Sequence, residues 1–161
     1  LFHELQPLTA KPVIYVFNMS GNQNNAPKPD GKITPSIKLD FKLEEELSEL
    51  TLQEIQELGL SNSKLDRLIK LCYDVLTLVT FFTIAGNKEL RAWTITKDTP
   101  VAQAAGKIHK DFEEKFIRAE VINWQRLIEA GDWRQAKEKG LIRTEGKDYF
   151  VRDGDVVEIK I

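Results

Sequence analysis

The chain has 161 residues, 42% of them apolar and 30% charged, and its 25 acidic and 23 basic side chains give a net charge of −2. These totals suit one ordinary soluble domain, or a small domain with part of another, and exclude a strongly polycationic nucleic-acid binder. A single cysteine, Cys72, excludes an internal disulfide framework and favours the cytoplasm, and the apolar runs are too short to cross a bilayer.

The first predicted element is a strand over residues 12–17, Pro-Val-Ile-Tyr-Val-Phe. Such a run of β-branched and aromatic residues is typical of a strand buried on both faces of a parallel sheet. No second strand is evident nearby, so we expect its partners to come from elsewhere. Residues 1–40 are therefore predicted to be poorly ordered, or to pair between molecules, in the isolated chain. Residues 21–32, rich in Gly, Asn, Pro and Asp, predict a loop.

Residues 43–58 have helical periodicity, with leucine and isoleucine on one face. They predict either one helix or two short helices that meet near Thr51, because Thr51 and Glu54 have the spacing of a capping box. Gly59 is a suitable left-handed residue to end this segment.

A further helix is predicted over residues 63–78, with Ser63 as its N-cap and Cys72 within its apolar stripe. A small buried side chain is the simpler interpretation of Cys72, and a redox role is the alternative. The domain boundary is expected near Thr80.

The period changes after residue 88, where apolar and polar side chains alternate and predict a strand through Ile95. Thr99 and Pro100 predict the start of a helix, with Thr99 as N-cap and Pro100 at the first helical position. The apolar face of this helix is expected to consist of Val101, Ala104, Ala105, Ile108 and Phe112.

Several short elements follow. We predict a strand over residues 117–122, one or two helices within 124–139 divided at Gly131-Asp132, and strands at 141–144, 149–151 and 156–161. The order of strand, helix, strand and further short strands predicts an α+β fold of the β-grasp, or ubiquitin-like, type.

Seven phrases in this half, in order, carry a family resemblance. They are Phe81-Phe82-Thr83, Arg91-Ala92-Trp93-Thr94-Ile95, Gln103-Ala104-Ala105-Gly106-Lys107-Ile108-His109, Asp111-Phe112-Glu113, Phe116-Ile117-Arg118-Ala119-Glu120-Val121, Glu145-Gly146-Lys147-Asp148-Tyr149 and Asp153-Gly154-Asp155. Together they resemble the TGS domain of YchF-type ATPases, translation-associated P-loop proteins related to the Obg GTPases. The resemblance implies three parts: a remnant of the nucleotide domain (1–42), a helical connector (43–80) and a TGS domain (81–161).

The resemblance also extends upstream, where residues 8–16 look like the strand that leads to the family's base-reading motif, Asn-x-x-Glu. Asn18, Met19 and Ser20 fit its first three positions, and Gly21 stands where the family has Glu. An asparagine that merely ends a strand is the alternative interpretation. Residues 40–42 align with the Ser-Ala-Lys element that closes the base pocket, and only the lysine is retained.

The chain contains no GxxxxGK[ST] phosphate-binding loop. Full-length members of the family are expected to bind ATP or GTP with Mg²⁺, but hydrolysis needs that loop and a metal-binding aspartate. We therefore expect no catalytic residues, no bound cofactor and no ATP turnover in this chain alone. Two histidines and one cysteine also give no credible zinc site.

Candidate recognition residues lie around the first TGS strand and helix: Arg91, Lys97, Lys107, His109, Lys110 and Arg118. They predict a surface that contacts RNA or a protein partner, although interleaved acids make a solvated mixed surface the alternative. His109 could equally cap a helix. The three tryptophans, Trp93, Trp124 and Trp133, could include a base-stacking platform, with packing against the sheet as the alternative.

Three functions follow as hypotheses. The first is the C-terminal portion of a YchF-like ATPase, carrying a module that binds the ribosome, RNA or a protein. The second is a stand-alone, non-catalytic TGS interaction protein. The third is a protein-docking chain that uses the acidic helix at Glu44, Glu45 and Glu46.

Overall fold

The computed structural model describes residues 7–19, 34–59, 64–85 and 89–161. The chain divides into two compact units, Leu1–Leu76 and Thr77–Ile161. Within the described ranges, no helix combines the length and the apolar character that a bilayer crossing requires.

The first unit begins with a 3₁₀ turn, Leu8–Ala10, and two short strands, β1 (Tyr15–Asn18) and β2 (Ser36–Leu39). They pair in parallel, so the expectation that β1 finds no partner in this chain was wrong. Strand β2 was not predicted, because its four residues, Ser-Ile-Lys-Leu, are too few to show the alternation of apolar and polar side chains that indicates a strand. Tyr15 is 48% exposed, so β1 is not covered on both faces within the described residues.

Three helices follow: α1 (Phe41–Ser48), α2 (Leu52–Glu57) and α3 (Leu65–Val75). The two-helix alternative is confirmed, because Thr51 and Glu54 form a reciprocal capping box. Gly59 has φ of +64°, as expected for a left-handed cap. Helix α3 ends three residues before the predicted position and buries none of its residues, and Cys72 is half-buried. The predicted N-cap, Ser63, lies outside the described residues.

Glu44 is a buried carboxylate in α1, with 5% of its surface exposed. Its two oxygens accept the backbone N–H of Lys64 at 2.9 and 3.2 Å, immediately before α3 begins. The negative charge therefore stabilises the N-terminus of a neighbouring helix. Of the three acidic residues proposed as a docking face, only Glu45 and Glu46 are exposed.

The second unit is built on a five-stranded mixed sheet. Its strands are β3 (Leu78–Ala85), β4 (Glu89–Thr96), β5 (Arg118–Asn123), β6 (Arg143–Glu145) and β7 (Asp155–Lys160). Their spatial order is β4-β3-β7-β5-β6, and the central pair, β3 and β7, is parallel while the other pairs are antiparallel.

Helices cover both faces of this sheet: α4 (Val101–Ile108), α5 (Lys110–Glu114), α6 (Trp124–Ala130) and α7 (Trp133–Glu138). One core includes Phe81, Val121 and Val157 from the sheet and Val101 and Ala104 from α4. The other core includes Ile122 and Val156 from the opposite sheet face and Ala130, Trp133 and Ala136 from α6 and α7. Period-two alternation along β5 and β7 thus supplies both cores.

Some boundaries differ from the predictions. Strand β3 was not predicted, because the alternation typical of a strand was recognised only after residue 88. Pro100, rather than Thr99, is the N-cap of α4, since the Thr99 hydroxyl instead donates to the carbonyl of Thr96 at 2.6 Å. Helix α4 also stops at Ile108 because His109 is extended. The strand predicted at 149–151 is a single bridge between Pro100 and Phe150.

Candidate nucleic-acid interface and base-site residues

Asn18 is the last residue of β1 and Met19 follows it, at the edge where both parallel strands of the first unit end. The Met19 N–H donates to the carbonyl of Leu39 at 2.7 Å. The side-chain oxygen of Asn18 accepts the N–H of Phe41 at 3.4 Å. Ligands of open α/β sheets bind at this edge, so the position suits contact with a nucleotide base. The third residue of the motif, Ser20, lies outside the described residues.

The segment that follows β2 adjoins Asn18. Asp40 caps α1, because its side-chain oxygen accepts the N–H of Leu43 at 3.2 Å, and Lys42 is exposed in the first turn. The two pieces that the family resemblance assigns to one base pocket are therefore adjacent. The sequence contains no phosphate-binding loop to accompany them.

The six candidate recognition residues divide between the two ends of the five-stranded sheet. Arg118, at the start of β5, is paired with Lys160 at the end of β7. Arg91, near the start of β4, is paired with Thr83 near the end of β3. The C-terminus of α4 lies at the same end, since Ile108 and Phe112 share a small cavity with Thr83 and Ile159. Lys107, His109 and Lys110 are next to Ile108 in the chain and lie at this end as well. Lys97 is at the other end, where its N–H donates to the carbonyl of Thr77 at 2.7 Å.

The sheet also separates Arg91 from Arg118. Arg91 is opposite Thr83, on the face of Phe81 and α4, whereas Arg118 shares the face of Ile122 and α7. One surface therefore contains four of the candidates, Arg91, Lys107, His109 and Lys110, and is called the basic end below.

Charges at the basic end are partly compensated. Lys110 pairs with Glu114 at 3.3 Å, and Lys115 pairs with Asp111 at 3.4 Å, all with side chains more than half exposed. Exposed helical pairs of this kind contribute little and open easily. Lys107 has no ion-pair partner among the described residues. This surface can therefore present positive charge to a polyanion.

His109 has a clear structural role. Its Nδ1 accepts the N–H of Asp111 at 3.2 Å and so caps the short helix α5. Its ring also meets Phe112 edge-on, with centroids 6.3 Å apart. The geometry matches the capping interpretation, and the ring remains largely exposed for contact with a partner.

The three tryptophans have different environments. Trp133 is a core residue with 8% of its surface exposed. Trp93 is half-buried, and its Nε1 donates to the hydroxyl of Thr83 at 3.0 Å. Trp124 is 43% exposed. Of the three, Trp124 therefore has the greatest capacity to stack on a ligand.

A buried polar network near the start of β7 was not predicted from the sequence. The Tyr149 hydroxyl donates to Asp155 Oδ2 at 2.7 Å, and the Arg152 N–H donates to the same oxygen at 2.9 Å. Arg143 donates to the Tyr149 hydroxyl at 3.1 Å and lies 5.5 Å from the centre of that ring. The sequence showed the Asp-Gly-Asp turn, but it did not show that Asp155 accepts hydrogen bonds from Tyr149 and Arg152.

This network predicts an alkaline dependence of stability. Burial raises the pKa of Tyr149, the hydrogen bond to Asp155 raises it further, and Arg143 opposes the shift. Because the folded state prefers the neutral phenol, this contribution is complete below about pH 10 and is lost as the pH rises through the raised pKa. Urea unfolding of wild type and Tyr149→Phe, from about pH 8 to 11, should show a steeper loss for wild type. Parallel curves would contradict the assignment.

Comparisons with known proteins agree with this architecture. Residues 78–161 match the family model YchF-GTPase_C, described as "Protein of unknown function (DUF933)". The chain is 42% identical over 175 residues to the ribosome-binding ATPase YchF of Bacillus subtilis, covering 99% of this chain and 48% of that protein. It is 38% identical over 169 residues to Obg-like ATPase 1 of Pongo abelii, covering 95% of this chain and 42% of that one.

A solved structure, the YchF GTPase of Schizosaccharomyces pombe, superposes with a TM-score of 0.79 at 31% identity. The superposition covers 99% of this chain and 46% of the other. The chain therefore spans about half the length of the relatives it matches. Its residues 78–161 match the family's C-terminal domain along their whole length, and the chain belongs to the YchF family.

Proposed function

We propose that this chain carries the recognition part of a YchF-type ATPase and contacts the ribosome through the basic end of its second unit. The bacterial relatives are named ribosome-binding ATPases, which supports a ribosomal partner. Such a partner would place the chain in the cytoplasm.

We further propose that residues 81–161 form a TGS domain with a β-grasp fold. The sheet supports this, because its first and last strands, β3 and β7, are parallel neighbours at its centre. Helix α4 connects the edge strand β4 to β5, as the predicted strand–helix–strand order requires.

The observation that carries the proposal is the placement of Arg91, Lys107 and Lys110 on one surface. Ribosomal RNA presents a dense array of phosphates, and each lysine or arginine that contacts a phosphate releases a bound counterion. The contact is therefore expected to be weak and sensitive to salt. Cations held only in exposed pairs can exchange their carboxylate partner for phosphate at little cost.

The test is co-sedimentation of the 161-residue chain with ribosomes, as wild type and as Lys107→Gln. The variant should weaken binding severalfold and lower the slope of log K against log salt by about 0.7–0.9. Arg134→Gln is the matched control, because it removes one exposed helical cation from α7, on the other face of the sheet. Equal effects of the two variants would contradict a role for the basic end.

ATP hydrolysis is the second candidate function, since the named relatives are ATPases. We propose that Asn18, Met19 and Ser20 represent the base-binding part of that site. ATP or GTP with Mg²⁺ would be held mainly by residues that this chain does not contain, since its sequence has no phosphate-binding loop. The chain alone is therefore assigned no hydrolytic activity.

A further inference from the structure

We propose that the basic end is also a docking site for a protein, in addition to its contact with ribosomal RNA. The small apolar cavity at this end receives one large apolar side chain, leucine or phenylalanine, from an acidic amphipathic helix of the partner. Two exposed isoleucines beside the cavity contact the next apolar residue of that helix. This site is argued from apolar residues that a phosphate backbone does not need, so it does not depend on the ribosomal proposal.

The cavity lies between the helices and the end of the sheet and has a volume of about 230 Å³. Ile108 of α4 and Phe112 of α5 line it on the helical side, and Val157 and Ile159 line it from β7. An apolar cavity of about 150 Å³ is large enough to hold benzene. One leucine or phenylalanine side chain therefore fits, and Ile108, Phe112 and Ile159 are only half-buried and so accessible to it.

The two polar side chains of the lining are already engaged by the protein. The Thr83 hydroxyl accepts the Nε1–H of Trp93 at 3.0 Å. The Glu158 carboxylate accepts Lys160 Nζ at 2.6 Å. A nucleobase in the cavity would leave its own polar edge without partners, which costs free energy, whereas an apolar side chain has no such edge. The lining therefore selects an apolar side chain over a base.

Two exposed isoleucines continue the apolar surface beyond the cavity. Ile159 is paired with Ala119, and Ile161 and Ile117 are the next residues but one along the same two segments. The Ile117 N–H donates to the carbonyl of Lys160 at 3.0 Å, which holds Ile117 beside the end of β7. Ile117 is 64% exposed and Ile161 is 52% exposed. Two residues of a strand span about 7 Å, so this apolar pair lies one short step from the cavity.

The strands at this site favour a helical partner over an extended one. Strand β7 is paired with β3 and β5, and β5 is paired with β7 and β6, so neither has a free edge for an added strand. A bound segment must therefore satisfy its own backbone hydrogen bonds, as a helix does. Side chains four residues apart lie about 6 Å from each other along one face of a helix, which matches the step from the cavity to the isoleucines.

The charges around the site favour an acidic partner. Among the described side chains at this end of the sheet, basic residues outnumber acidic ones by six to four: Arg91, Lys107, Lys110, Lys115, Arg118 and Lys160 against Asp111, Glu113, Glu114 and Glu158. Within the described ranges, the side chains of Lys107, next to Ile108, and Arg118, next to Ile117, have neither an ion pair nor a hydrogen bond. Carboxylates that flank the apolar stripe of a helix can pair with them. A second copy of this chain fits less well, because a two-fold contact would bring the same cations face to face.

The test is fluorescence anisotropy with the full 161-residue chain and a labelled synthetic peptide of about fifteen residues, long enough to form a helix. The peptide has leucines at helical spacing and glutamates at the flanking positions. Ile117→Ser should weaken binding about fivefold, because it removes an exposed apolar contact and leaves the core intact. Ile128→Ser is the matched control and should bind as wild type, since Ile128 is 68% exposed on α6, on the other face of the sheet.

Two further comparisons test the cavity itself. Ile159→Phe fills the cavity and should weaken binding about tenfold, because the anchor loses its place. Circular dichroism verifies that each variant folds, and Ile117→Ser remains informative whether or not Ile159→Phe does. A peptide with serine in place of each leucine keeps the acidic charge and should bind at least about tenfold more weakly than the leucine peptide.

The outcomes separate the possible occupants. A loss in Ile117→Ser with normal binding in Ile128→Ser supports the site, whereas equal binding by the two variants would overturn it and leave the ribosomal proposal intact. No binding of the leucine peptide at up to about 1 mM, or equal binding of the serine peptide, would also overturn it. A loss in Ile117→Ser that is as large for a single-stranded RNA of about twelve nucleotides as for the peptide would assign the surface to RNA instead. A dimer in sedimentation equilibrium that Ile117→Ser dissociates would assign it to a second copy and contradict the proposal.

Discussion

Phe81→Ala is expected to lower the free energy of unfolding of the Thr77–Ile161 unit by about 3–5 kcal/mol. Phe81 is completely buried, at the centre of the core between the sheet and α4. Truncation removes its ring contacts and leaves a cavity that packed neighbours such as Val101 and Val157 cannot fill. Urea unfolding monitored by circular dichroism measures the loss.

Phe150→Ala is the matched control. Phe150 is 54% exposed, and its backbone forms the bridge to Pro100 whatever its side chain. We expect a change within about 0.5 kcal/mol, as for most surface substitutions. Equal losses in the two variants would show that the assigned core is wrong.

Asp155→Ala is expected to cost about 3 kcal/mol, through loss of hydrogen bonds rather than loss of volume. Its carboxylate is the common acceptor for the Tyr149 hydroxyl and the Arg152 N–H, with Arg143 at 3.9 Å. Removal of the carboxylate leaves these donors without their acceptor at a position that water reaches poorly. The same unfolding measurement applies. The alkaline difference caused by Tyr149 should become smaller in this background, because the hydrogen bond to Asp155 is lost while burial still raises the pKa of Tyr149.

Asp148→Ala provides the comparison for Asp155. Asp148 is an exposed acid in the nearby turn and has no ion-pair partner among the described residues. The two substitutions remove the same charge, so a long-range effect of charge alone would give similar results. A loss of stability in Asp148→Ala as large as in Asp155→Ala would contradict the network.

Local signals in the sequence predicted much of the fold. The Thr51–Glu54 spacing offered two helices as an alternative to one, and Gly131 offered a division between two helices; the structure has both divisions. Both are local effects, in which a side-chain cap or a left-handed backbone angle acts within a few residues. The family resemblance was confirmed, because residues 78–161 match the model of the YchF C-terminal domain.

The missed features depend on contacts between distant residues. Strand β2 is recognisable only by its pairing with β1. Glu44 is buried and accepts the N–H of Lys64, twenty residues away, although Glu45 and Glu46, which follow it, are exposed. Periodicity describes one element at a time and does not contain such partners.

The candidate site was predicted in part. Six candidate residues were grouped by sequence, but strand alternation places Arg91 and Arg118 on opposite faces, and strand direction places Lys97 at the far end. The sequence therefore indicated which residues could contact a polyanion but not which of them share a surface.

The most direct test of the central claim is the fraction of the 161-residue chain that pellets with ribosomes as salt is raised. We predict clear co-sedimentation at about 50 mM salt that falls steeply by about 200 mM. A folded sample that stays in the supernatant at every salt concentration would contradict the claim that this chain is a ribosome-recognition module.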